Sequence, residues 1–176
     1  VESIGANHGN KKNQNIYMDT CVMKTELFIS LIKEAKKLSS MYTLADILKA
    51  NCGTLDIRGV AHKGFFASIT DFPSYYDANM NLLDYKAAQE LFHDNWPIYT
   101  RTNDSCPTQY FDTAEVKNSV ISNGCQIEGT VENSVIGRGC VIKKGAVVKN
   151  SVVLAEVTVG EGVHVENEVV DKWARL

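Results

Sequence analysis

The sequence predicts an α/β segment followed by a parallel β-helix of hexapeptide repeats. Three observations carry this. A phrase returns near the end of the chain, as "VKNSVI" at 116–121, "VENSVI" at 131–136 and "VKNSVV" at 148–153. The text around it resolves into sixes, each led by a branched aliphatic residue. The text before it instead carries helical periodicity and helix-start signals.

In chain order, "IYMDTCVM" alternates and predicts a strand. "TELFISLIKEAKKL" follows. It sets Leu27, Phe28, Leu31, Ile32, Ala35 and Leu38 on one helical face, with Lys33, Lys36 and Lys37 opposite as a solvated face. "TLADILKAN" opens with Thr43 and Asp46 at capping-box spacing, so a short helix is expected. "TLDIRGV" and "KGFFASI" read as two short strands separated by "AHK". "PSYYDANMNLLD" begins with Pro73, offers Ser74 and Asp77 as cap and third position, and predicts a helix through about Leu83. "YKAAQELF" is a second helical piece. "NWPIYTRTNDSCPTQYF" is an extended linker broken by Pro97 and Pro107. The α/β text runs to about Arg101 and the repeats start near Asp112, so the division is drawn at 1–105 and 106–176.

In the repeats, the leading slot holds Ile121, Ile127, Ile136, Ile142, Val148, Val153, Val159 and Val165. The slot four later holds Cys125, Val131, Cys140, Ala146, Val152, Val157, Val163 and Val169. Each six makes one flat side of a triangular coil, with the aliphatic slot inward and the smaller slot near the corner. A given wall then recurs after about eighteen residues, fewer where a corner is tightened. Asn118, Asn133 and Asn150 would stack as a ladder at one corner, because Asn tolerates tight backbone. Cys125 falls one coil from Cys140; two reduced thiols in small interior slots are expected rather than a bond. His164 lies in a variable part of its hexamer. Hexapeptide acyltransferases use a His at a coil face, and a solvated His is the simpler reading.

The totals exclude several classes. The formal net charge is −3, which makes no electrostatic case for nucleic acid or an anionic membrane. No apolar run approaches a membrane span. The cysteines number five, and no C-x-x-C appears, so neither a disulfide framework nor a zinc site is suggested. A reducing, cytoplasmic setting fits that usage. The chain begins with Val1 and polar, turn-rich text, which reads as part of a longer protein.

"SYYDANMNLLD" followed by "HDNWPIYTR" resembles one family, glucose-1-phosphate adenylyltransferase, the ADP-glucose pyrophosphorylase of glycogen and starch synthesis. The residues that carry the resemblance are Tyr75, Ala78, Asn79 and Leu82, then Trp96, Pro97, Ile98 and Thr100. The resemblance implies the end of a mixed-sheet nucleotidyltransferase domain, a linker, and a left-handed β-helix used in assembling tetramers. It also implies the conversion of ATP and glucose 1-phosphate to ADP-glucose and diphosphate, with Mg²⁺ as the parent reaction's metal.

The departures from the family are as informative. Where the family has "Trp-x-Asp-Val-Gly-Thr", this chain reads "FFASITD". The metal Asp falls on Ser68 and the glycine on Thr70. A neutral hydroxyl does not replace a carboxylate as a hard-cation anchor. Asp71 is a poor substitute, because in a strand it would face the other side of the sheet. Where the family has "Ser-Met-Gly-Ile-Tyr" beside the sugar, this chain has Tyr17, Met18, Asp19, Thr20 and Cys21. Tyr17 would fill the sugar's space, and Asp19 would repel its phosphate. The glycine-rich phosphate loop and the "Glu-Lys-Pro" lysine would lie upstream of Val1. The resemblance therefore implies a regulatory or assembly subunit with no catalytic residue, metal or cofactor of its own in this chain. Its partners would be a homologous catalytic subunit, or itself, in a homo- or hetero-tetramer. Arg101 and Lys117, basic and near the junction, are candidate effector contacts and otherwise solvated. Two alternatives stay open: a catalytically competent sugar nucleotidyltransferase when full length, and a hexapeptide acyltransferase.

Overall fold

A computed structural model describes residues 1, 4, 15–37, 43–99 and 104–176. They fall into two compact units, Val1–His62 and Lys63–Leu176.

The first unit holds two helices, α1 (Thr25–Ala35) and α2 (Leu44–Ala50). On the apolar face expected of α1, Leu31 is buried, while Phe28 and Ile32 stay exposed; Leu38 lies outside the described residues. The capping box of α2 forms as expected. Thr43 Oγ1 accepts from Asp46 N at 3.2 Å, and Asp46 Oδ2 accepts from Thr43 N at 3.0 Å. Ile47 and Leu48 are buried behind it. The strands expected at 16–23 and 54–60 do not form here. Ile16, Val22 and Val60 are exposed, while Met23, Leu55 and Ile57 are half-buried. A strand is made by the backbone groups of a neighbour, and the described residues of this unit supply none.

The second unit starts with extended backbone at 65–70, where the strand expected from "KGFFASI" does not form among the described residues. Helix α3 (Phe72–Met80) follows, then a 3₁₀ turn (Asn81–Leu83) and α4 (Tyr85–Leu91). The cap of α3 is Asp71, not Ser74 as the sequence suggested. Asp71 Oδ1 accepts from Ser74 N at 2.9 Å, and Ser74 Oγ accepts from Asp71 N at 3.0 Å. Pro73 lies inside the first turn, where its missing N–H costs nothing, so the helix starts before it. Asp84 caps α4 by accepting from Lys86 N at 2.9 Å.

The rest is the expected parallel β-helix, in four coils. Its twelve short strands form three parallel sheets. The first sheet orders β1 (Gln109–Tyr110), β4 (Gln126–Ile127), β7 (Val141–Ile142) and β10 (Thr158–Val159). The second orders β2 (Glu115–Lys117), β5 (Thr130–Glu132), β8 (Val147–Lys149) and β11 (His164–Glu166). The third orders β3 (Val120–Ile121), β6 (Val135–Ile136), β9 (Val152–Val153) and β12 (Val169–Val170).

Register stacks like on like: Ile127 on Ile142 and Val159, Val131 on Val148 and Val165, Ile136 on Val153 and Val170. These side chains form the buried interior, and each fully buried aliphatic contributes about 1.5–3 kcal/mol. The smaller inward slot sits two residues earlier and holds Cys125, Cys140, Ala146 and Val157, as expected. On the second wall Val131, counted in the smaller slot, instead stacks with the leading Val148 and Val165, and on the third wall the expectation fails again. The small inward residues there are Ser134 and Ser151, both fully buried. Val152 and Val169 pair with each other beside the inward pair Val153 and Val170, and neither joins the interior cluster. The slip arises because only five residues separate Val148 from Val153, so counting in sixes crosses from one row to the other.

That short side needs a tight corner, and Asn supplies it. Asn118, Asn133, Asn150 and Asn167 all have left-handed φ, between 44° and 57°. The expected ladder is present and one rung longer than read, with Asn118 Nδ2 donating to Asn133 Oδ1 at 2.7 Å. Beside it runs a serine ladder that sequence reading did not anticipate. Ser119 Oγ accepts from Ser134 N, Ser134 Oγ from Ser151 N, and Ser151 Oγ from Glu168 N, each at 3.1 Å. Each hydroxyl donates in turn to the carbonyl two residues back, of Lys117, Glu132 and Lys149. The buried oxygens are thereby satisfied, which removes the cost of enclosing them.

One coil interval is shorter than the others, for a visible reason. Equivalent serines are 15 residues apart between the first and second coils and 17 thereafter. The two missing residues belong to the corner between Ile127 and Val131. Gly129 makes that turn, and a Cβ there would collide with the carbonyl oxygens of Ala146 and Lys143. Gly129→Ala is expected to destabilise the β-helix by about 1–3 kcal/mol, read as lost hydrogen-exchange protection at the core valines. Unchanged protection would show that the corner is looser than its geometry.

Candidate functional site

The residues singled out in the sequence lie in both units. Tyr17 and Asp19 are in the first, in a loop where Thr20 Oγ1 donates to Met18 O at 3.2 Å. Burial, and then Cys21, raise the Tyr17 phenol above its usual range. Asp19 has φ 52°. The residue standing where the resembling family has glycine thus takes the left-handed backbone that glycine favours, and Asp is among the few side chains that accept it.

Ser68 and Thr70 belong to the second unit, in the extended stretch before α3, and both are exposed. Thr70 N donates to Ser74 Oγ at 3.0 Å. Asp71 does not face across a sheet as expected. It caps α3, and its hydrogen bonds with Ser74 hold its carboxyl below the usual Asp range. The one carboxylate next to the metal position is therefore committed to a helix end, and Ser68 brings no charge. These residues do not fit a Mg²⁺ anchor. Among the described residues, no group of three or more His, Cys, Asp or Glu side chains is placed to hold a metal ion.

Lys117 lies on β2 with 81% of its side chain exposed, 3.7 Å from Glu132 Oε1. Glu132 also takes Lys149 Nζ at 3.4 Å, and register places Glu166 next, so this wall carries alternating charge from coil to coil. Such exposed pairs are each worth about 0–1 kcal/mol. A shallow depression of about 520 Å³ opens here, lined by Glu115, Val116, Lys117, Thr130, Val131 and Glu132. Its two carboxylates outnumber its one ammonium, which does not favour an anionic ligand. Arg101, the other expected effector contact, lies outside the described residues. His164 is exposed on β11, as the bland reading expected.

Cys125 and Cys140 are free, buried and one coil apart. Their thiols turn to main-chain oxygens, Cys125 Sγ donating to Gly137 O at 3.1 Å and Cys140 Sγ to Leu154 O at 3.0 Å. The neighbouring Cys125 sulfur, and then burial, push the Cys140 thiol up. These are core fillers, not nucleophiles.

The contact that sequence reading missed is Tyr76. Its Oη donates to the main-chain oxygen of Asn150 at 2.6 Å, joining α3 to the third coil. Asn79 Nδ2 bonds back to Tyr75 O at 2.8 Å and stiffens the same helix. A signal was present: Tyr76 sits inside the Tyr75–Asn79 motif, and the tyrosine outside the motif's fixed positions makes the bond.

Residues 107–176 match the family model described as "GlmU-like, C-terminal hexapeptide". The curated relatives point further. The chain is 34% identical to the glucose-1-phosphate adenylyltransferase of Fervidobacterium nodosum, over 80% of this chain and 34% of that protein. It is 36% identical to the glycogen biosynthesis protein GlgD of Geobacillus stearothermophilus, over 74% of this chain and 38% of that protein. The glucose-1-phosphate adenylyltransferase of that same organism is 42% identical over 49% of this chain and 22% of its own length. The chain thus spans about a third of the length of the first two relatives.

Two outcomes check this site. In the folded chain at mildly alkaline pH, N-ethylmaleimide should modify Cys21 and Cys106, which are exposed, and spare Cys125 and Cys140, as read by peptide mass spectrometry. Labelling of Cys140 at the rate of Cys21 would contradict the burial. A pH titration checks the cap. Because the folded carboxyl of Asp71 is depressed, its contribution is full above the unfolded Asp range. It should fade as pH falls below about 4, through the folded value. Amide protection at the start of α3 should fall in that window, and Asp71→Asn should remove the pH dependence.

Proposed function

We infer that this chain, whose curated homologues over its C-terminal portion are glucose-1-phosphate adenylyltransferases and GlgD, is the C-terminal part of a divergent subunit that assembles with and modulates a catalytic one. The observation that carries the reading is Ser68 at the family's metal position, with its neighbour Asp71 spent on a helix cap. One organism, Geobacillus stearothermophilus, has both a glucose-1-phosphate adenylyltransferase and a GlgD among the relatives, which suits a pairing of two related subunits. The parent reaction is ADP-glucose formation from ATP and glucose 1-phosphate, in the cytoplasm, in the service of glycogen synthesis. No helix among the described residues is long and apolar enough to cross a membrane.

The alternating stretches at 16–23, 54–60 and 65–70 support a further step. Their alternation suits strands of a nucleotidyltransferase-like fold in a protein of the relatives' length. The β-helix then serves association with the catalytic subunit or a second copy, as homo- or hetero-tetramer. The acyltransferase reading loses ground, because His164 is exposed on β11 and no hydrogen bond to a described residue orients it as a base.

A second reading keeps catalysis in this subunit, with a carboxylate from elsewhere in place of position 68. The two part on one experiment. A protein of the relatives' full length, alone with ATP, glucose 1-phosphate and Mg²⁺, should release diphosphate at no more than background. Mixed with a catalytic partner, it should change that partner's turnover or effector response several-fold. Strong Mg²⁺-dependent turnover by the full-length protein alone, unaffected by Ser68→Asp, would establish the second reading and end the first.

A further inference from the structure

The outer wall of the third sheet repeats itself. Val120, Val135, Val152 and Val169 stand in register on it, each two residues after a left-handed Asn. Yet Val120 is 43% exposed while Val152 is 1% exposed. Val152 is outside the interior cluster, and α3 packs against its strand, β9. The helix therefore buries Val152 from outside.

Apolar contact alone locates a helix poorly on such a wall. The next coil lies about 4.8 Å away and offers another valine behind another asparagine. Tyr76 adds direction. Its Oη donates to Asn150 O at 2.6 Å. That carbonyl is spared by the ladder, since Asn167 N goes to Lys149 O and Val135 N goes to Ser151 O. The left-handed turn at Asn150 leaves it for α3.

We propose that Tyr76 is a positioning residue that clamps α3 to the third coil through the Asn150 carbonyl and so fixes the height at which the helix sits on the wall. The inference concerns the placement of α3 and stands or falls apart from the regulatory reading. A rigid prism is a good reference for such a clamp, because the coils are fixed by stacked interior side chains and by ladder hydrogen bonds. Among the described residues, one hydroxyl and one buried valine mark the coil to which the helix is tied.

The test is Tyr76→Phe in the full chain, read by NMR. The Asn150 carbonyl carbon should shift while that of Asn133 does not, because only the first loses a donor. Hydrogen-exchange protection of the α3 amides should drop by about two- to tenfold, the range one net hydrogen bond supplies. Protection of the β-helix core amides should stay as it was. An unmoved Asn150 carbonyl, unchanged α3 protection, or an equal loss in the β-helix would each overturn the clamp. Asn150→Gly provides a second arm. Glycine keeps the carbonyl and accepts the left-handed turn, so α3 protection should persist. Its loss would mean that the asparagine side chain, not the carbonyl, holds the helix.

Discussion

The left-handed asparagine at one corner of every coil is the constraint from which the rest follows. A side on which consecutive inward aliphatics fall five positions apart, not six, has no room for an ordinary two-residue bend. One residue must reverse its φ, and Asn118, Asn133, Asn150 and Asn167 do so. Asparagine accepts that backbone at small cost, and the Asn118 amide finds Asn133 one coil away. The serine that follows points inward, is buried, and accepts the next coil's N–H. With the corner fixed, the register of all three sheets is fixed, and the valines and isoleucines can stack. A β-branched or aliphatic residue at the asparagine positions would strain the turn in each coil it entered.

The β-helix was legible because its physics is periodic. The aliphatic rows, the shortened coils and the asparagine ladder could all be read from spacing. The reading failed where the period slips. Val152 and Val169 were placed inward because six was counted across a five-residue side. The α/β half was legible only in its local signals. Capping at Thr43 and the helices α1, α3 and α4 depend on neighbours in sequence, and they are present. The strands at 16–23, 54–60 and 65–70 depend on distant partners, and alternation alone does not make a strand. The cap of α3 moved from Ser74 to Asp71 because both offer capping geometry three residues from a polar partner, and Pro73 suits the earlier start. Tyr76 left no trace in periodicity, since its partner lies 74 residues away.

The candidate site was legible only as a set of departures. Ser68 and Asp19 stand out because charge is lost at one place and gained at another relative to the family they resemble. The fold gives these departures a physical shape: Ser68 lies exposed beside a carboxylate already engaged, and Asp19 occupies a left-handed turn. Lys117 changes meaning once its neighbour is visible. Spaced as it is in the sequence, it reads as a free cation; on the sheet it is one rung of a column of alternating charge.

In a repeating structure, identity between repeats makes stability, and information resides where the repeats differ. Four departures mark this β-helix. Gly129 closes a corner with two residues fewer than its equivalents. Glu168 stands where earlier coils have serine, so the hydroxyl ladder ends there with a main-chain donor. Glu156 and Trp173 take the left-handed corner that Gly124 and Gly139 occupy in earlier coils. And one asparagine carbonyl of the set is claimed by a helix from outside. None of these improves the prism as a prism, and a bulky residue at positive φ costs energy. They make one coil distinguishable from the next, which a partner or a neighbouring domain requires if it is to seat at one height on an otherwise uniform wall.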